Sequence, residues 1–144
     1  HCTPDQISRY RGRISGPLLD RIDLHVEVSR PKAFLLQHDG PAPESSADVR
    51  ARVLAARDIQ HQRAGRTNAQ LDGPALKQFC RITDADRALL LHASEQHALS
   101  PRACIRILKV ARTLADLEAE ADIDTAHVAE AISYRNCTTM RPNH

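Results

Sequence analysis

The sequence has no tryptophan, one methionine, and aromatic residues at only 3 percent of its 144 positions. Any core must therefore be built from Leu, Ile, Val and Ala, as in a small helical bundle. It has no GxxxxGK[ST] loop and no apolar strand ending in paired carboxylates. This polypeptide therefore cannot cradle or hydrolyse a nucleotide by itself. No apolar run approaches the length that spans a bilayer, and nothing at the N-terminus reads as a signal peptide. The four cysteines, Cys2, Cys80, Cys104 and Cys137, never fall at zinc-knuckle spacing. His92 and His97, five apart, do not reach one metal and read as surface residues. These absences predict a reduced, cytoplasmic protein with no membrane partner.

The formal net charge of +2 is too small to imply a polyanion partner, but it is unevenly spread. Residues 1–66 hold eleven basic and eight acidic side chains, and the remainder nine and ten, with 17 Arg to 3 Lys overall. The arginine bias fits a GC-rich genome at least as well as selection for phosphate contacts.

The stretch Ser15 to Val28, SGPLLDRIDLHVEV, organises the rest. Ser15 and Pro17 suit the start of a helical turn anchored by Leu18 and Leu19, and Arg21 leaves that turn. From Ile22 the pattern alternates, with Ile22, Leu24, Val26 and Val28 on one face, which predicts one half-buried strand. No second run alternates this way, so the strand is expected to belong to a sheet encoded upstream of His1. Residues 1–40 are then expected to be poorly ordered without that sheet, or docked on the bundle.

Thr3, Pro4 and Gln6 predict a capped helix to about Gly12, with Arg9, Arg11 and Arg13 as a basic face. Three prolines, a glycine and a serine pair make Ser29 to Ser46 a linker, broken by a short apolar run at 33–36, and the domain boundary is placed there. Ser45 or Ser46 then caps a helix to about Arg63, with Val49, Val53 and Ala56 at core spacing and Arg50, Arg57 and Arg63 on other faces. After Gly65 and a loop over 68–73 comes a short helix carrying Leu76 and Phe79. Thr83 and Asp86 start another to about His97, with Ala85, Leu89 and Ala93 on one face. The strongest start is Ser100-Pro101. The helix that follows has an apolar stripe of Cys104, Ile107, Leu108, Ala111, Leu114 and Ala115, and a basic back of Arg102, Arg106, Lys109 and Arg112. Asp124 or Thr125 caps a last helix with Val128, Ala131 and Ile132 facing inward, and the tail from Asn136 is expected to be loose. Cys80 and Cys104 fall at apolar positions and read as core.

Three stretches together, RYRGRISGPLLDRIDLHVEV at Arg9 to Val28, SPRACIRILKVARTLADL at Ser100 to Leu117 and HVAEAISYR at His127 to Arg135, resemble the C-terminal part of the magnesium-chelatase-like AAA+ ATPases, in the ComM-type competence branch. The resemblance implies a mainly α fold. Residues 1–40 would end the α/β AAA+ core with one strand, and residues 41–144 would form the helical lid. It also implies that Cys2 closes a cysteine-rich loop in the full-length protein, a possible metal site there only.

By the same resemblance Arg21, the last residue of Leu-Leu-Asp-Arg, is the arginine finger that reaches a neighbouring subunit's ATP. Arg102 matches the sensor-2 arginine, with Arg106 a second candidate on its face. A guanidinium stabilises charge on a transferring phosphoryl group by about 10³ to 10⁵ in rate. Without the family, Arg21 paired with Asp20 or Asp23 at a surface turn is the simpler reading. Arg102 carries a hint of its own: a cation in a first helical turn opposes the dipole at ~0.3–1 kcal/mol, and a bound anion reverses that sign. The family further implies ATP and magnesium in the full-length protein, none for the fragment, a hexameric ring, and DNA remodelling in natural transformation, where Arg50, Arg57 and Arg63 are candidate backbone contacts. The rival readings are a motor subunit of a metal chelatase and a non-enzymatic nucleic-acid-binding helical module.

Overall fold

A computed structural model describes residues 3–13, 16–28 and 43–135, and these contain seven α-helices and no strand. The helices are α1 Pro4–Arg11, α2 Gly16–Arg21, α3 Ser46–Ala64, α4 Gly73–Phe79, α5 Asp84–Gln96, α6 Pro101–Leu117 and α7 Thr125–Ser133, with a 3₁₀ turn at Asn68–Gln70 between α3 and α4. The expected linker over Ser29 to Ser46 lies mostly outside the described residues, as do Cys2, Ser15, Cys137 and the tail.

Side-chain caps set most of the helix starts, because the first four N–H groups of a helix lack internal partners. Thr3 and Gln6 exchange bonds of 3.0 and 3.4 Å ahead of α1. Ser45 accepts from the Asp48 N–H for α3, Ser100 from Ala103 for α6, and Asp124 from His127 for α7. Thr83 and Asp86 form a complete reciprocal box before α5. Asp86 is fully buried there and also accepts from the Thr125 hydroxyl, which ties the start of α5 to the start of α7.

The helix ends show what composition hides. Gly65 closes α3 at φ 66°, the left-handed region that glycine enters at no steric cost. α5 and α6 end the same way on alanines, Ala98 at φ 46° and Ala119 at φ 59°. In both, the next residue's N–H reaches back to close a Schellman turn, Leu99 to the Ser94 carbonyl at 2.9 Å and Glu120 to the Ala115 carbonyl at 2.8 Å.

The core is centred on α6, which packs on α7, α3 and the 3₁₀ turn, while α5 packs on α7. Ile107, Ala111 and Ala115 of α6 and Val128 of α7 are fully buried. Burial of a side chain the size of Ile107 or Val128 contributes about 1.5–3 kcal/mol. Cys80 sits in this core, where burial pushes its thiol up to about 11, and half-buried Cys104 packs against it.

Four expectations are corrected. The alternating segment from Ile22 to Val28 forms no ladder with any described residue; its apolar side chains are exposed, rising from 41% at Ile22 to 87% at Val28. An extended segment with no neighbouring strand has nothing to bury that face against. Val49 and Val53 are each 38% exposed, and of the expected α3 core positions only Ala56 is buried, because the first half of α3 stands clear of the other helices. On α5 the buried apolar positions are Leu90 and Ala93, whereas Ala85 is exposed. Finally, Arg112 does not belong to the basic back of α6: it is 2% exposed, in the interior.

Candidate functional site

At its N-terminus α6 meets the segment that leaves α2. Ser100 performs two tasks at once: its hydroxyl oxygen accepts from the Ala103 N–H at 3.1 Å, and its O–H donates to the Asp20 carboxylate at 3.1 Å. Pro101 occupies the first turn, where a missing N–H costs nothing. Arg102 follows, exposed, with no ion pair or hydrogen bond to any described residue.

The backbone around Arg21 is held by guanidinium groups on three consecutive carbonyls. Arg135, just past α7 and with only 4% of its side chain exposed, donates to the Ile22 carbonyl, and at 3.4 Å to both the Asp20 carbonyl and the Asp20 carboxylate. Arg106 donates to the Arg21 carbonyl and pairs with Asp23. One turn later the His25 N–H donates to the Tyr134 carbonyl at 2.8 Å. Residues 20–25 are thus held to the N-terminal part of α6 and the C-terminal end of α7 by polar contacts.

These contacts bear on the surface ion-pair reading of Arg21. Asp20 is taken by Arg135 and Ser100, and Asp23 by Arg106. The Arg21 side chain is exposed and meets no described carboxylate, so the simple surface ion pair does not form. Arg106, the second phosphate-facing candidate, is engaged with Asp23 and the Arg21 backbone instead. A cleft of about 490 Å³ opens beside this pair, between Leu24 and the Lys109, Leu114 and Leu117 flank of α6.

Of the three candidate nucleic-acid arginines, Arg50 and Arg57 are exposed on α3, and Arg63 is half-buried, with 20% of its side chain exposed. Arg63 makes a two-pronged pair with Asp116 and also donates to the Asn68 side-chain oxygen at 2.8 Å. Asp116 is 1% exposed and further accepts from Arg112 at 3.1 Å and from Asn68 at 2.7 Å. Burial alone pushes the Asp116 carboxyl up; the hydrogen bonds from Arg63 and Asn68 and the charge of Arg112 outweigh it and hold the group below its usual range. Arg112 spends its remaining donors on the Glu120 and Ala121 carbonyls exposed by the turn after α6. Among the described residues no group of three or more His, Cys, Asp or Glu side chains could hold a metal ion, and no helix is long and apolar enough to cross a membrane.

The sequence reading missed Asp20, Arg135 and the Asp116 cluster as organising residues. A signal existed for the last. Cys104, Leu108, Arg112 and Asp116 form one column on α6, so an opposite-charge pair four apart continues an apolar edge into the interior.

Two family models cover the chain. Residues 43–135 match the family described as magnesium chelatase, subunit ChlI C-terminal, and residues 1–35 match magnesium chelatase, subunit ChlI. The chain is 47% identical over 133 residues to competence protein ComM of Haemophilus influenzae, covering 92% of this chain and 26% of that protein. It is 46% identical over 135 residues to the protein YifB of Escherichia coli, covering 93% and 26% respectively. Against the protein Mb2921c of Mycobacterium bovis it is 39% identical over 145 residues, covering 97% and 28%. The chain thus spans about a quarter of the length of the curated relatives it matches. The chain belongs to the magnesium-chelatase-like AAA+ family, with most of its length in that family's C-terminal domain.

Proposed function

We propose that this chain supplies the cationic half of an ATP-hydrolysing site whose phosphate loop lies outside it. Residues 1–40 end the AAA+ core and residues 41–144 form its lid. Arg21 is the finger that enters a neighbouring protomer's site within a hexameric ring, and Arg102 is the lid arginine that meets the nucleotide bound by its own protomer. The observation that carries the reading is the exposed Arg21 guanidinium, whose two neighbouring carboxylates are both committed to other residues.

The chemistry follows from that geometry. ATP with its magnesium ion brings the phosphoryl group and the charge that develops on transfer. In the ring each site would receive Arg102 from its own protomer and Arg21 from a neighbour, and the two acids beside Arg21, Asp20 and Asp23, are paired with Arg135 and Arg106. A guanidinium in place before reaction requires no reorganisation as charge builds. At the start of α6 the dipole and Arg102 present positive charge together, an arrangement that favours an anion.

We further propose that the ring works on DNA, with Arg50 and Arg57 of α3 as backbone contacts. Similarity to a protein named for competence supports DNA over a tetrapyrrole substrate. The test uses the full-length protein. Arg21→Ala is expected to leave ATP binding nearly intact and to lower turnover by about 10³ or more. Unchanged hydrolysis overturns the assignment.

A further inference from the structure

Arg135 is an expensive residue to place where it is. A buried guanidinium has to be paired and hydrogen-bonded, and its described partners are two backbone carbonyls of 20–22 and the Asp20 carboxylate. The segment it holds buries little apolar surface in return, since Ile22 and Leu24 are 41% and 48% exposed. These polar contacts therefore fix position more than they build a core. Asp20 is also the acceptor for Ser100, the residue that caps the helix carrying Arg102. Arg21 lies one residue beyond Asp20 and Arg102 two residues beyond Ser100. A shift of the α6 N-terminus therefore pulls on the residue next to Arg21.

We propose that Asp20 and Arg135 are positioning residues: they latch the backbone bearing Arg21 to the mouth of the helix bearing Arg102, so that lid movement and finger placement are one event. This rests on the reading of Arg21 and Arg102 given above. Neither latch residue touches nucleotide; both act through Arg21.

The test is made in the full-length protein with Asp20→Asn, which keeps size and removes charge, alongside Arg135→Ala, the double variant and Arg21→Ala. Asp20→Asn is expected to lower kcat roughly ten- to a hundredfold through misplacement of the finger. The KM for ATP should stay within about twofold, because ground-state binding is untouched. The melting temperature should fall by no more than about a few degrees, because Arg135 keeps its two backbone carbonyl partners. The double variant should lose no more kcat than the worse single one, the sign of two groups acting as a unit. Wild-type turnover in Asp20→Asn beside an inactive Arg21→Ala overturns the latch and leaves the finger standing. So do losses that multiply in the double variant, or a fall in kcat that only follows a fall in melting temperature. Normal hydrolysis by Arg21→Ala removes the finger reading and the latch with it.

Discussion

Around Asp116 the guanidinium groups of Arg63 and Arg112 turn inward and share one buried carboxylate, whereas beside the α6 N-terminus those of Arg21 and Arg102 reach solvent and meet no described acid. The two regions use the same side chain, and Arg102 and Arg112 stand on one helix ten residues apart. The acids around each arginine make the difference. In the interior Asp116 pairs with both guanidinium groups, Asn68 bonds to Arg63 and Asp116, and the Glu120 and Ala121 carbonyls accept from Arg112. At the rim Asp23 is paired with Arg106 and Asp20 with Arg135, and the Arg21 and Arg102 side chains stay exposed with no ion pair to any described residue.

The interior should break most sharply. Asp116→Ala strands the buried Arg112 and should cost about 3–5 kcal/mol in denaturant unfolding; a loss below about 1 kcal/mol, the range of an exposed ion pair, would mean the cluster is wetter than described. Ile107→Ala, which opens a cavity in the core, should cost about 2–5 kcal/mol by the same measurement. Ala119→Gly should instead stabilise by up to about 1 kcal/mol, the relief of an alanine held in the left-handed region less the entropy glycine adds to the unfolded chain.

Acid also probes the interior. Hydrogen bonds from Arg63 and Asn68 hold the Asp116 carboxyl, and those from Thr125 and Thr83 the Asp86 carboxyl, below the usual carboxylate range, so their stabilisation is complete above that range and is lost as pH falls through the folded values. Melting temperature followed downward from neutral pH should be level and then drop below about pH 4, and Asp116→Asn should remove part of the drop. The smallest effect belongs to the exposed Arg52–Glu44 pair. Arg52→Ala should leave the melting temperature unchanged within error.

How much of this was legible beforehand follows from what a linear pattern encodes. Caps and helix starts were readable, because Thr3, Ser45, Thr83, Ser100 and Asp124 act on N–H groups three residues away. The apolar stripe of α6 was readable for the same reason: its period is local. Arg63 and Arg112 misled, since an arginine facing a distant acid has the same local sequence as one facing water; the Arg63–Asp116 pair is separated by 53 positions. The exposure of Val49, Val53 and the 22–28 segment was equally hidden, because spacing shows that residues share a face and not whether anything covers it. The candidate Arg21 came from family resemblance, and its lack of a local acid only from the contacts that Asp20 and Asp23 make elsewhere.

The central claim is that Arg21 serves a site other than its own protomer's. The direct measurement mixes full-length Arg21→Ala subunits with full-length subunits whose phosphate loop has been inactivated, and follows ATP turnover. Each preparation alone should be silent, and the mixture should hydrolyse ATP, because an intact Arg21 from the loop-deficient subunit completes the intact site of its neighbour. A mixture as silent as its parts, or an Arg21→Ala protein that turns over at the wild-type rate by itself, contradicts the account.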